Sequence, residues 1–334
     1  MQRAANNNGE EIAAGRSCDL GAPHSAKRRF IAAVMTVHAA EEMAADGNIE
    51  GALAGYRQAI EVCPPCDERG NFQIVLGSLL FDIGDAAAAA TEFRAALAGG
   101  RTYPYEAERR LSFALGALGQ YGAARTAMER AGGGGEDAAF VAQYRLILTL
   151  AEEGLAAALT RAEDTSDVDG AQAEYRCRFA LLRAELNRLD GNRAAAMASL
   201  DFAAAMTAED GLTAELALWL AVLDRHFGRA VLRADVGAAF AAEPAEWASL
   251  AWRQLNGDTT AATPLLDAFA AMSITRRAEN QAIIDRLRGL LFEAAGDLAA
   301  ADAAYRRTLT DTHVRWCADW HIAALDLARL APIR

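Results

Sequence analysis

The chain is 334 residues long, 53% apolar, and carries 45 acidic against 33 basic side chains for a formal charge of −12. That balance excludes a binder of nucleic-acid duplexes or anionic membranes, which needs clustered cations to neutralise phosphate, and no apolar run approaches the length of a membrane span. No segment alternates apolar and polar residues as a half-buried strand does, so the composition points to an all-α protein with a large core. In chain order, residues 1–27 are polar, mix both charges and contain Asn6-Asn7-Asn8, which predicts a disordered tail. Lys27, the only lysine, opens a Lys-Arg-Arg run followed by apolar Phe30 to Val37, which imitates a secretory signal. The long stretch before it holds Glu10, Glu11 and Asp19, and Ala40 and Met43 belong to the first helical pair. The expected compartment is therefore the cytoplasm, with the periplasm as the alternative should residues 27–40 act as a signal. Five cysteines, odd in number and scattered, do not form a disulfide framework and suit a reduced compartment.

From residue 28 onward the organising feature is a glycine. Gly47, Gly84, Gly119, Gly154, Gly191, Gly228, Gly257 and Gly296 each sit between two Ala-rich helical stretches, at successive separations of 37, 35, 35, 37, 37, 29 and 39 residues. A helix that must stop and reverse ends readily on a left-handed residue, which glycine reaches without steric cost. Asn48, Asp85, Asn192, Asp258 and Asp297 follow five of these glycines and can accept a bond from the exposed amides opening the next helix. Stop and start signals are adjacent, which predicts tight helical hairpins. Gln120, Leu155 and Arg229 hold the same place in the other three, so those helices start with weaker caps.

Small residues at fixed distances from each turn let the paired helices approach, and large apolar residues fill the adjoining volume. Ala52-Tyr56-Ala59-Pro64, Ala89-Phe93-Ala96 and Ala301-Tyr305 share one spacing, while Leu76-Gly77 and Arg288-Gly289 lie in the first helices. On these residues the chain resembles the tetratricopeptide repeat family over roughly residues 28 to 310. The resemblance implies a right-handed α-solenoid of about eight hairpins over 28–313, closed by a capping helix over 314–334. Around Gly154, Ile147 and Leu159 replace the expected small residues, and around Gly228 Arg233 does, so those pairs should pack irregularly. Pro264 would break a second helix starting at Asp258, so Thr263 is expected to cap a shortened one.

Three constellations carry chemistry elsewhere. Cys63-Pro64-Pro65-Cys66 has the spacing of a redox dithiol or half a zinc site, but it lies in an all-α loop, no nearby His or Cys completes four ligands, and Pro64 falls where the repeat family has a proline. His313, Cys317 and His321 are spaced for one stripe of the closing helix, although ligands on successive turns diverge by about a helical pitch. Trp316, Trp320, Ile322 and Leu325 mark that helix as an apolar cap. Gly132 to Gly135 lacks the strand and lysine of a phosphate loop and reads as a linker. No nucleophile elbow or metalloprotease helix is present, so no cofactor, metal or catalysis is expected.

By the resemblance, a partner lies against the first helices of the hairpins, whose outward positions are Val37, Glu41, Ile74, Ser78, Phe81, Arg109, Arg110, Phe113, Tyr144, Arg178, Glu185, Arg286 and Glu293. A mixed surface of this kind suits an extended peptide or a helix of another protein. A family variant that grips a terminal carboxylate would need Lys, Asn and Arg at Val37, Glu41, Val75, Glu106 and Arg110, and only Arg110 fits. The expected role is a non-catalytic adaptor. The alternative is a regulator whose array closes on a peptide or small effector.

Overall fold

The computed structural model describes residues 24–99, 103–132, 137–164, 172–210, 213–229 and 233–331. Among them there is no strand, and seventeen α-helices follow one another. The first eight are α1 (His24–Ala45), α2 (Ile49–Val62), α3 (Asp67–Asp82), α4 (Ala86–Ala98), α5 (Pro104–Ala117), α6 (Tyr121–Ala131), α7 (Asp137–Glu153) and α8 (Leu155–Ala162). Then come α9 (Ala173–Leu189), α10 (Arg193–Asp210), α11 (Ala214–His226), α12 (Ala234–Ala242), α13 (Trp247–Leu255), α14 (Ala262–Ala270), α15 (Ile274–Ala294), α16 (Leu298–Thr308) and α17 (Ala318–Leu330). The fold is all-α and built of consecutive helical pairs. No helix among the described residues is long and apolar enough to cross a membrane.

Every one of the eight spaced glycines reverses the chain between paired helices, with φ between 72° and 89°. The caps follow the expected chemistry. Asn48 accepts from the Gly51 amide, Asp85 from Ala88, Asn192 from Ala195 and Asp297 from Ala300, each at 3.0–3.1 Å. Gln120, Gly154 and Arg233 open α6, α8 and α12 without a side-chain bond. One cap differs from expectation. Thr263 does not start a helix; Asp258 accepts from the Thr260 amide at 2.9 Å and opens a 3-10 turn, Thr259–Ala261, that runs into α14 with Pro264 in its first turn. The turn supplies the extra length, so proline still falls where its missing N–H costs nothing.

The chain divides into two compact units, residues 1–79 with 91–107 and residues 80–90 with 108–334. In the first, Ala52, Tyr56 and Ala59 of α2 are buried beside Ala33, Val37 and Ala40 of α1. Phe93 lies against Gly77, where a Cβ would stand 2.7 Å from its ring. In the second, α9 to α15 share a large core in which Leu181, Leu218, Val222 and Leu287 are fully buried. Tyr305 of α16 packs on Gly289 of α15, repeating the Phe93–Gly77 arrangement. Helices α8 and α12 to α14 have only eight or nine residues, in the stretches where the repeat spacing is poorest.

The polar tail expected over 1–27 falls largely outside the described residues, but 24–27 already belong to α1. The glycine run is described only at Gly132, which ends α6 at φ 57°. The closing helix starts later than expected, after a 3-10 turn at Thr312–Val314. His313 therefore sits in the turn, Cys317 at the helix cap and His321 one turn inside. They do not share a helical stripe, and among the described residues no cluster of His, Cys, Asp and Glu could hold a metal ion.

Candidate functional site

First helices of successive pairs converge in the second unit. Residues of α5, α7, α9, α11 and α15, with those preceding and opening α17, line a cavity of about 370 Å³. One wall is aromatic. Phe113 meets Tyr144 at 4.9 Å and Phe140 at 5.9 Å edge-on and Trp316 at 5.3 Å with the rings tilted, and Tyr175 and Trp219 add to the aromatic lining. The guanidinium of Arg109 lies 5.6 Å above the Phe140 ring. Trp316 also reaches back to Phe81 at the end of α3, 6.1 Å away edge-on. The Thr275 hydroxyl donates a hydrogen bond to the Phe81 carbonyl, so the last pair and the closing segment both touch the start of this unit.

The opposite wall is charged and internally paired. Glu215 receives Arg178 at 2.7 Å and Arg276 at 3.4 Å, and Arg276 also binds Glu279 at 2.7 Å. Burial pushes the Glu279 carboxyl above the usual carboxylate range, with Arg276 opposing. Three guanidinium groups (Arg109, Arg178, Arg276) and three carboxylates (Glu215, Glu279, Asp319) are among the lining residues, so their formal charges balance.

Next to this wall runs an ion network whose centre, Glu185, Arg188, Arg286, Asp319 and Asp326, is buried. Arg286 bridges Glu185 of α9 and Asp319 of α17, with its guanidinium 5.1 Å from the Trp219 ring. Arg188 grips Asp326 with two 2.8 Å bonds and binds Glu185 at 2.7 Å. Glu293 accepts from Tyr305 at 3.1 Å and from Arg329. Glu185, although completely buried, is held down at about 2 because Arg286 and Arg188 overcome the desolvation that would raise it.

Four of the expected contact residues, Arg109, Phe113, Tyr144 and Arg178, line the cavity. Glu185 and Arg286 do not. Both are 0% exposed, because the face of α9 and α15 that should look outward meets the closing helix instead. Tyr144 is itself buried, donating a 3.5 Å bond to the Ser112 carbonyl. Val37 and Ile74 are buried in the first unit. Ser78 spends its hydroxyl on the Ile74 carbonyl at 2.7 Å and Glu41 pairs with His38 at 3.2 Å. Phe81 and Arg110 are half-buried, and the Arg110 charge faces Asp82. Sequence reasoning missed Phe140, Tyr175, Trp219, Glu215, Arg276 and Trp316. Its only available signal was the crowding of Trp and His after residue 312, which reads equally as a cap.

No protein-family model matches the chain, and no curated protein matches it. Solved structures do. A tetratricopeptide repeat protein from Parabacteroides merdae ATCC 43184 superposes with a TM-score of 0.50 at 14% identity, covering 89% of this chain and 97% of that one. PilF of Pseudomonas aeruginosa gives 0.43 at 18% identity over 68% and 98%. The Rap conjugation gene regulator of plasmid pLS20, solved with the Phr* peptide, gives 0.44 at 12% identity over 89% and 81%. Turn glycines, small-to-aromatic packing and the first of these superpositions agree that the chain has the tetratricopeptide-repeat fold.

Proposed function

We propose that the protein is a non-catalytic binding scaffold that captures a short extended segment of a partner protein in the cavity between α5, α7, α9, α11 and α15. The observation that carries this reading is the cavity lining, with an aromatic wall facing paired, fixed charges. The cavity, about 370 Å³, is of the size of ligand pockets. An extended stretch inserting one large apolar or aromatic side chain, flanked by polar groups that meet Glu215 and Arg276, matches this lining. Arg109, Phe113 and Arg178 keep their expected role as contacts; Glu185 and Arg286 act by holding the wall.

Selection of peptides from a random library on the intact protein tests this. Enriched sequences should share an apolar anchor, and Phe140→Asp, at a half-buried position on the aromatic wall, should weaken them at least tenfold while the protein stays folded. Equal binding to the variant would move the contact surface away from the cavity. A regulator that encloses a small effector is the second reading, favoured by the same modest volume. It predicts capture of a small amphiphilic molecule with no peptide enrichment.

A further inference from the structure

In the loop from α2 to α3 the Cys63 and Cys66 sulfurs lie 3.5 Å apart, and we propose that this pair is a reversible thiol–disulfide site, oxidised by a low-molecular-weight disulfide. A disulfide bond is about 2.05 Å long, so the sulfurs need to close by only about 1.5 Å. Pro64 and Pro65 between them fix two φ angles, which holds the short loop in a narrow range of shapes. The backbone at both ends is anchored. The Cys63 amide donates to Ala59 at the end of α2, and the Cys66 carbonyl accepts from Arg69 in the first turn of α3, 3.2 Å away. The pair thus joins the close of one helical hairpin to the opening of the next.

Exposure assigns the order of events. Cys66 is half-buried and stands just before α3, within reach of a small disulfide. Cys63 is 3% exposed. The Cys66 thiolate attacks a sulfur of glutathione disulfide and expels one glutathione thiolate, which takes up a proton. The Cys63 sulfur, after losing its own proton, attacks Cys66 in the mixed disulfide and expels the second glutathione. Two electrons pass from the cysteine pair to glutathione disulfide, and two protons leave with the two glutathione thiols. Cys177 and Cys317 serve as internal references. Both are buried, with thiols pushed up by desolvation, Cys177 to about 12.

The full chain, reduced and freed of reductant, is incubated with glutathione disulfide, then denatured, alkylated with iodoacetamide and digested with trypsin. Cleavage after Arg57 and Arg69 releases Gln58–Arg69, which holds both thiols and no other cysteine. The expected product is this peptide without an alkyl group and lighter than the dithiol by two hydrogen atoms, while the Cys177 and Cys317 peptides are alkylated. Dithiothreitol should return it to the doubly alkylated form. A Cys63→Ser protein should stop at glutathione on Cys66. A doubly alkylated wild-type peptide, a persisting glutathione adduct on the wild type, or a bond to a second chain would overturn the proposal.

Discussion

Gly77 and Gly289 lie inside helices, and what they provide is space rather than backbone freedom. An alanine Cβ at Gly77 would stand 2.7 Å from the Phe93 ring, and at Gly289 it would run into Tyr305. Both rings are almost wholly buried and have little room to retreat. Gly77→Ala and Gly289→Ala should each lower stability by about 1–3 kcal/mol, measured by urea unfolding. His321 makes a second residue-scale prediction. It binds the Arg315 carbonyl at 2.7 Å, an atom that only accepts, so Nε2 carries the proton of a neutral ring. Burial lowers its pKa from 6.5 to about 4, opposed by the bond to the Arg315 carbonyl and helped by the Arg315 charge. The unfolded chain binds that proton first, so this stability is complete above about pH 6.5 and is lost as pH falls towards 4, on the order of 3 kcal/mol in all. His321→Gln keeps a donor and should remove this part of the pH profile. His226, also lowered by burial, leaves a residual slope of the same sign, and the raised carboxyls of Glu279 and Asp319 act in the opposite sense in both proteins.

Helix starts follow local chemistry closely enough to be edited. Asp297 holds the Ala300 amide at 3.0 Å, and Asp297→Ala should cost about 1 kcal/mol. Gln120 occupies the equivalent place before α6 and makes no side-chain cap, so Gln120→Asp should gain a comparable amount. Thermal unfolding of the two variants side by side checks both signs. The closing helix is the element whose beginning local chemistry did not reveal. The apolar residues after 313 predicted a helix from about 314, yet Asp311 caps a 3-10 turn first and α17 opens only at Ala318. That delay separates His313, Cys317 and His321, and it lets Trp316 turn into the cavity wall.

Within the second unit the decisive contacts join residues far apart in sequence. Arg286 reaches Asp319, 33 positions on, and Glu185, 101 positions back, while Arg188 and Asp326 lie 138 apart. Removing one partner of a buried pair leaves the others charged and dry. Arg286→Met should therefore destabilise by about 3–5 kcal/mol, seen as a lowered urea midpoint. The loss of Trp219 support should also weaken any peptide recovered in the library selection. Replacing Arg109, a half-buried residue whose guanidinium lies over the Phe140 ring, should shift the midpoint far less than Arg286→Met does.

The amino-acid sequence alone determined the local grammar of the fold: eight positive-φ turns, the capping residues beside them, and the Ala-aromatic-Ala spacing that buries Tyr56, Phe93 and Tyr305. Each of these depends on neighbours within one helical pair, where periodicity and steric size are legible. The candidate site was legible only at Arg109, Phe113, Tyr144 and Arg178. Whether an outward-facing residue meets solvent or another helix depends on how many pairs close around it, and no local pattern encodes that. Only the tertiary structure decided that Arg286 and Glu185 are core, that Trp316 walls a cavity, and that two cysteines in a proline loop face each other.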